Sequence, residues 1–170
     1  MTSPRFGVIG WKNSGKTTLM TRLIAEFTGR GYTVSALKHA HHSFDIDHPG
    51  RDSHRFRDSG ARQVALVSPK RWAMMHELRD EPEADFEDIV AHFGKCDLLL
   101  IEGYKRGPFP KIEARSARTL TRDPLAKDDP NIVAIAADIE TDSGGLPLFL
   151  LDDVAGIADF IERHLGLKRR

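Results

Sequence analysis

This chain of 170 residues has one cysteine, two tryptophans and two tyrosines, and its charges sum to zero. The single cysteine, Cys96, cannot form an internal disulfide, and without a second cysteine there is no thiolate pair to bind a metal. Both features are typical of a protein from a reducing compartment. Because 25 basic residues balance 25 acidic ones, global charge provides no attraction to nucleic acid or to an anionic membrane. We therefore expect no nucleic-acid partner and only local binding of charged ligands.

Long apolar runs are also missing. No run approaches the ~18 residues that a membrane-spanning helix needs, and the N-terminus lacks the charged-then-apolar layout of a secretion signal. We therefore expect a cytoplasmic protein that does not enter a membrane. The hydrophobic content of 40% is enough for one core, and the sequence predicts a single nucleotide-binding domain over residues 1–170.

Apolar segments of strand length alternate with amphipathic helical segments along the chain. This alternation predicts an α/β fold, a mostly parallel twisted sheet with helices on both faces. A three-residue turn between two of the strands additionally predicts an antiparallel strand pair. Strands are expected at residues 6–9, 32–37, 63–67, 71–76, 97–101, 132–136 and 148–150. Helices are expected at residues 16–29, 52–60, 84–93 and 154–165.

Residues 10–18, GWKNSGKTT, fit the P-loop pattern G-x-x-x-x-G-K-[ST] at every fixed position, between a predicted strand and a predicted helix. The motif predicts a loop whose backbone N–H groups, together with the helix N-terminus, hold the phosphates of a nucleotide. Lys16 would reach the terminal phosphates and act in catalysis, and Thr17 would bind Mg²⁺. The residues expected to contact the nucleotide are Gly10, Lys12, Asn13, Ser14, Gly15, Lys16, Thr17 and Thr18.

A second oxygen ligand for Mg²⁺ is expected where the apolar strand LLLI ends. Glu102 follows this strand directly, at the carboxyl edge where open parallel sheets bind ligands, and Gly103 permits a sharp turn. Glu102 is thus predicted to hold the metal or to position the attacking water. The alternative is that Glu102 only ends the strand or pairs with Lys105.

Residues 38–61, KHAHHSFDIDHPGRDSHRFRDSGA, are rich in histidine and aspartate. In P-loop proteins a segment at this place commonly faces the nucleotide and reorders with its state. Asp45 or Asp47 is therefore expected to join the Mg²⁺ shell through water. The alternative is a transition-metal site built on the histidines, among them His39, His41 and His42, although their spacing lacks a helical pair with a third ligand.

Two regions leave alternatives open. Residues 103–116 carry several cations that either hold an anionic substrate or form an exposed basic loop: Lys105, Arg106, Lys111 and Arg115. No Asn-Lys-x-Asp motif specifies guanine. Asp138, after a predicted strand, is one place for a base-reading carboxylate, and residues 121–123 resemble a degraded form of the motif. The spacing therefore does not decide between guanine and adenine.

The order of these motifs resembles the molybdopterin-guanine dinucleotide biosynthesis protein B family, a group of small P-loop GTP-binding proteins. The P-loop itself is shared by very many proteins. The histidine- and aspartate-rich loop followed by IEGYK is much more specific. The matching stretches are residues 10–17, residues 38–61, residues 97–105 (DLLLIEGYK) and residues 110–116 (PKIEARS), whereas residues 117–170 contribute least.

The resemblance implies an accessory role in making the guanine dinucleotide form of the molybdenum cofactor. It implies GTP and Mg²⁺ as cofactors and a molybdopterin guanylyltransferase as partner protein, with molybdopterin itself as a further ligand to test. GTP hydrolysis is expected to be weak at most, since no residue is placed as an arginine finger. A homodimer is also implied, with residues 63–76 as the candidate contact.

One departure separates the chain from a wider class of P-loop proteins. The related partitioning and arsenite-type ATPases carry a signature lysine after the first glycine of the loop, where this chain has Trp11. This argues against a dimer whose active site is completed by that lysine. Two other functions stay open: a metallochaperone-type GTPase that uses the histidine and aspartate loop, and a small-molecule kinase or ligase that binds an acidic substrate through Lys105, Lys111 and Arg115.

Overall fold

The computed structural model describes residues 3–40, 44–121 and 123–168. Backbone contacts divide the chain into two compact units, one formed by residues 1–39 and 93–170 and the other by residues 40–92. The prediction of a single domain stays a prediction, because this division does not test whether the units fold independently.

The secondary structure agrees with the sequence pattern at most positions. The strands are β1 (Arg5–Ile9), β2 (Val34–Lys38), β3 (Gln63–Val67), β4 (Trp72–His76), β5 (Leu98–Glu102), β6 (Lys111–Arg115), β7 (Ile132–Ala137) and β8 (Leu148–Leu150). The helices are α1 (Lys16–Gly29), α2 (Asp52–Asp58), α3 (Phe86–Ala91) and α4 (Val154–Leu165), with one 3₁₀ turn at Leu125–Lys127. The predicted bounds of α1, α4, β3 and β8 are confirmed, the other predicted elements shift by one or two residues, and β6 and the 3₁₀ turn were not predicted. No helix within the described ranges is long and apolar enough to cross a membrane.

The first unit is built on a six-stranded sheet in the order β2, β5, β1, β6, β7, β8, and every pair of neighbours is parallel. β1 therefore lies near the middle, with β5 on one side and β6 on the other. The carboxyl ends of parallel strands meet at one edge, so the loops after β1, β5, β6 and β7 are brought to the same edge of the sheet. The predicted mostly parallel sheet with helices is confirmed.

Helices α1 and α4 pack together against one face of this sheet. Apolar residues recur at helical spacing along α1, where Leu19, Leu23 and Phe27 are buried. On α4, Ile157 and Ile161 are buried at the same spacing. Their shared core fixes α1 directly after the loop that follows β1. The start of α1 is thereby held at the carboxyl edge of the sheet.

β6 is the main difference from the sequence-based expectation. The prediction that Lys111 and Arg115 lie in an exposed basic loop or bind an anionic substrate is wrong, because Lys111 is fully buried in β6 and Arg115 is 8% exposed. Strand alternation places Lys111, Glu113 and Arg115 on one side of β6, and the apolar Ile112 and Ala114 on the other. The sheet thus contains a buried row of three charged side chains.

Internal partners neutralise this row. The Lys111 ammonium donates to the carbonyl oxygens of Lys105 (2.9 Å) and Gly107 (2.7 Å) and to Asp129 Oδ2 (2.6 Å). Arg115 Nη2 donates to Glu113 Oε2 over 2.8 Å. All three protons of the Lys111 ammonium therefore have acceptors, which is the condition for burying the charge.

The second unit contains α2, β3, β4 and α3. β3 and β4 form the expected antiparallel pair, in a register running from Gln63 opposite His76 to Val67 opposite Trp72. α2 packs against β3, and Val64 is buried. Val67, Trp72 and Met74, which alternation places on the other face of the hairpin, are 80%, 67% and 42% exposed.

Lys111→Met tests the buried ion pair, because it keeps much of the side-chain volume and removes the ammonium. Asp129 loses its cation and two carbonyl groups lose a donor, so we expect the free energy of unfolding to fall by about 3–5 kcal/mol in urea titrations. Lys95 is an exposed lysine outside the sheet, and Lys95→Met is the matched control, with an expected change within about 0.5 kcal/mol. Equal stability of the two variants would contradict this account of β6.

Candidate functional site

The loop between β1 and α1 turns through backbone conformations that favour glycine. Gly10 has a φ of 150° and Gly15 has a φ of 87°. A Cβ atom on Gly10 would lie 2.5 Å from the carbonyl oxygen of Ala114, and one on Gly15 would lie 2.8 Å from the side chain of Leu151. Both fixed glycines of the motif are therefore required by the fold of the loop as well as by ligand approach.

This loop and the first turn of α1 form a cavity of about 400 Å³. The helix N-terminus contributes unpaired backbone N–H groups and a partial positive charge, which together favour an anion. The structure thus gathers six of the predicted nucleotide contacts in one cavity, and adds an arginine that was not predicted. The lining residues are Asn13, Ser14, Gly15, Lys16, Thr17, Thr18 and Arg118.

The Lys16 ammonium turns back onto its own loop, where Nζ donates to the carbonyl oxygen of Trp11 over 2.6 Å. Burial lowers the pKa of Lys16, the carboxylate of Glu102 raises it, and the nearby charges of Lys105 and Lys38 lower it further. The net shift is downward. A phosphate group would offer the ammonium a charged acceptor in place of this carbonyl oxygen and would counter the positive charge around it.

Glu102 lies at the carboxyl end of β5, beside Val8 of β1 and Lys38 of β2. Its carboxylate is 10% exposed and accepts a hydrogen bond from Thr17 Oγ1 over 3.1 Å, and Lys38 Nζ lies 3.3 Å from the same oxygen. Gly103 then has a φ of 90°, which confirms the predicted sharp turn. Two of the residues predicted to hold Mg²⁺, Thr17 and Glu102, are therefore in direct contact.

The alternative partner for Glu102, Lys105, has a different contact. Its ammonium lies 3.7 Å from the centre of the Trp11 ring, a cation–π contact. The indole Nε1 of Trp11 in turn donates to the carbonyl oxygen of Asp123 over 2.8 Å. Trp11, the residue that replaces the signature lysine, therefore ties the P-loop to two neighbouring loops.

Two observations fit a phosphate and a divalent cation in this cavity. The Ser14 hydroxyl is buried and has no hydrogen-bond partner within the described ranges, whereas buried polar groups are normally paired. A phosphate oxygen would supply the missing partner. The Thr17 hydroxyl and the Glu102 carboxylate supply adjacent oxygen atoms, the ligand type that Mg²⁺ prefers.

Asp138 lies directly after β7 at the same edge of the sheet. Its Oδ2 accepts a hydrogen bond from Ser116 Oγ (2.7 Å), and its Oδ1 accepts one from the Ala117 amide (2.9 Å). Burial raises the pKa of Asp138, but these hydrogen bonds outweigh it and the net shift is downward, so the carboxyl is ionised at neutral pH. The base-reading role of Asp138 stays a prediction, and Arg122 of the alternative motif lies outside the described residues.

Sequence reasoning missed Arg118 and Thr119. Thr119 Oγ1 donates to the carbonyl oxygen of Lys12 over 2.6 Å, which joins the segment after β6 to the P-loop. The signal that could have revealed both residues is the alternation in KIEAR, residues 111–115. Had that stretch been assigned to a strand, the residues after it would have been expected at the ligand-binding edge.

The second unit contains Asp45, the third residue predicted to bind Mg²⁺. The guanidinium of Arg57 donates three hydrogen bonds to its carboxylate: Nη1 to Oδ1 at 2.9 Å, Nη1 to Oδ2 at 3.2 Å and Nη2 to Oδ2 at 3.1 Å. The hydrogen bonds from Arg57 lower the pKa of Asp45 to about 2. Its metal role stays a prediction, as does that of Asp47, which accepts a hydrogen bond from Ser53 Oγ over 3.0 Å.

Histidines of the same loop were the basis of the transition-metal alternative. His41 and His42 lie outside the described residues. Across the rest of the described chain, no group of three histidine, cysteine or acidic side chains is arranged to hold a metal ion. His39 stacks on Tyr104 with ring centres 4.3 Å apart.

The model of the family "Molybdopterin guanine dinucleotide synthesis protein B" matches residues 6–138. This chain belongs to that family. The matched range begins in β1 and ends at Asp138, so it contains every predicted site residue.

Two bacterial relatives match over almost the whole chain. An Escherichia coli (strain K12) protein named "Molybdopterin-guanine dinucleotide biosynthesis adapter protein" is 36% identical over 162 residues, which cover 93% of this chain and 91% of that protein. A Haemophilus influenzae protein of the same name is 37% identical over 166 residues, or 95% of this chain and 89% of that protein. The crystal structure of Bacillus subtilis MobB superposes with a TM-score of 0.73 at 26% identity, covering 95% of this chain and 98% of the other.

Proposed function

We propose that this protein is a GTP-binding adapter in the biosynthesis of molybdopterin guanine dinucleotide. Membership of the protein B family and the names of its relatives support the pathway. The contact between Thr17 and Glu102 beside the P-loop cavity carries the nucleotide part of the proposal. It brings together two oxygen ligands on elements that are far apart in sequence, as a magnesium nucleotide requires.

Separate groups of residues would bind the phosphates, the Mg²⁺ ion and the base. The N–H groups of the P-loop and of the first turn of α1 would bind the phosphates, with Lys16 neutralising the charge at the terminal end. Thr17 and Glu102 would hold Mg²⁺, which when bound would offset phosphate charge. Asp138 would face the guanine base from the end of β7.

We further propose that the protein assists a molybdopterin guanylyltransferase in the cytoplasm more than it consumes GTP. If hydrolysis occurs, a water oxygen attacks the γ-phosphorus, the bond to the β-phosphate oxygen breaks, and GDP and phosphate leave with release of a proton. The sequence places no residue as an arginine finger, which favours slow turnover. Molybdopterin itself is a further ligand to test, because the guanylyltransferase partner would also have to bind it.

The kinase or ligase alternative loses support from β6. Two of the three cations assigned to its acidic substrate, Lys111 and Arg115, are buried and engaged in ion pairs. The metallochaperone alternative uses the histidine- and aspartate-rich loop and stays a prediction, since His41 and His42 lie outside the described residues. We therefore retain the adapter function.

Titration with a fluorescent guanine nucleotide tests nucleotide binding, with unlabelled GTP and ATP as competitors and with and without Mg²⁺. We expect wild type to bind GTP more tightly than ATP, and more tightly with Mg²⁺. Lys16→Ala removes charge-assisted hydrogen bonds to phosphate, so we expect its affinity to fall by at least about tenfold. Lys95→Ala, at an exposed lysine outside the cavity, is the control and should bind like wild type.

Two results would contradict the nucleotide proposal. The first is the absence of GTP binding by wild type, and the second is equal, magnesium-independent binding by wild type and Lys16→Ala. Equal affinity for GTP and ATP would reject the guanine preference alone.

We also propose that the protein is a homodimer in which the hairpin of β3 and β4 contacts a second copy. A two-stranded hairpin is marginally stable alone, and one face of this hairpin exposes Val67, Trp72 and Met74. α2 packs against β3 within the same unit, and the hairpin offers strand edges to a partner. A second copy would bury the exposed apolar face.

Light scattering coupled to gel filtration tests the dimer. We expect the scattering mass of wild type to be twice the chain mass and that of Trp72→Glu to equal the chain mass. A carboxylate is too costly to bury at an apolar contact without a partner. Leu120→Glu, at a fully exposed leucine of the first unit, should remain dimeric. A monomeric wild type, or a dimeric Trp72→Glu variant, would contradict this contact.

A further inference from the structure

Arg118 is an exposed cation that lines the P-loop cavity. Its guanidinium makes no hydrogen bond or ion pair with other described residues, although its charge contributes to the lowered pKa of Asp138. An arginine is a strong ligand for phosphate because its planar guanidinium can donate two parallel hydrogen bonds. Arg118 therefore has both the chemistry and the position to bind an anion in this cavity.

The backbone beneath Arg118 is held by several hydrogen bonds. The Arg118 amide donates to Ser116 Oγ (3.2 Å), and the Ser116 hydroxyl donates to Asp138. On the next residue, Thr119 Oγ1 donates to the carbonyl oxygen of Lys12. The turn that carries Arg118 is thus tied both to the end of β7 and to the P-loop. A side chain on such a turn loses less freedom when it binds a ligand than one on a loose loop.

The strand order separates the element that carries Arg118 from those that carry Lys38 and Glu102. Arg118 follows β6, whereas Lys38 and Glu102 end β2 and β5, and the sheet places these strands on the two sides of β1. Arg118 lines the P-loop cavity together with Lys16 and Thr17, and its charge lowers the pKa of Asp138 at the end of β7. Arg118 therefore reaches the cavity from the β6 side of β1, and Glu102 contacts Thr17 from the β5 side.

We propose that Arg118 is a nucleotide-binding residue that contacts the phosphates shared by GTP and GDP. This inference rests on the proposed GTP binding and extends it to a specific arginine. Arg118 follows β6 and Glu102 ends β5, on opposite sides of β1, so Arg118 is assigned to the shared phosphates and not to the γ-phosphate as an arginine finger. Arg118 therefore increases the affinity for GTP and the affinity for GDP by the same factor.

The test compares dissociation constants for GTP and for GDP in wild type, Arg118→Gln and Arg118→Lys, all with Mg²⁺. Loss of a charge-assisted pair should weaken both nucleotides by a similar factor, about ten- to hundred-fold for Arg118→Gln. Arg118→Lys keeps the charge without the planar fork and should lie between Arg118→Gln and wild type. Arg163→Gln, at an exposed arginine on α4, is the matched control and should bind like wild type.

Arg118 is exposed, so Arg118→Gln should fold normally, and equal thermal midpoints of wild type and variant check this. The inference is overturned if Arg118→Gln binds both nucleotides like wild type, if it weakens GTP alone, or if Arg163→Gln weakens binding as much. Failure of the underlying function has a different result: wild type itself does not bind GTP, or Lys16→Ala binds as tightly as wild type. That result would overturn both.

Discussion

Parallel pairing of β5 with β1 is the constraint on which the site depends. The register puts Glu102 beside Val8, two residues before the P-loop begins, and so carries a carboxylate to the start of α1. There it meets the hydroxyl of Thr17. A shift of this register by one residue would turn Glu102 to the other face of the sheet and separate its carboxylate from the Thr17 hydroxyl. The five buried residues of β5 hold the register by packing on both faces.

The buried charges of β6 connect the interior of the sheet to the same edge. Lys111 holds the carbonyl groups of Lys105 and Gly107, so it fixes the turn that carries the Lys105 ammonium over Trp11. Glu113 accepts the amides of Leu125 and Ala126 at the start of the 3₁₀ turn. β6 therefore positions the loops on either side of the P-loop without contacting the cavity itself. Its charged residues have a structural role that their sequence does not distinguish from a binding role.

The parts of the fold that follow a single local rule could be predicted from the sequence. α1 follows from the motif and from the helical spacing of Leu19, Leu23 and Phe27, and the β3–β4 pair follows from its short turn. Glu102 was found because a P-loop requires an acidic neighbour at the end of a buried strand. β6 was missed because a strand buried on both faces is recognised by a continuous apolar run, and here every second residue is charged.

Contacts that depend on tertiary structure could not be predicted. The partners of Lys111 come from residues 105, 107 and 129, and no spacing rule connects them. Arg118 lies in a stretch without a motif, and only the position of β6 beside β1 brings it to the cavity. Asp45 shows the opposite case. The sequence indicates a carboxylate in a suitable loop, but it could not show the pairing of that carboxylate with Arg57.

The central claim is that Glu102 and Thr17 together hold a magnesium nucleotide. The most direct measurement is the ratio of GTP dissociation constants without and with Mg²⁺, compared between wild type and Glu102→Gln. Glutamine keeps the shape of the side chain and removes its charge, so the Mg²⁺ dependence should be large in wild type and lost in the variant. An equal Mg²⁺ dependence in both proteins would contradict the claim.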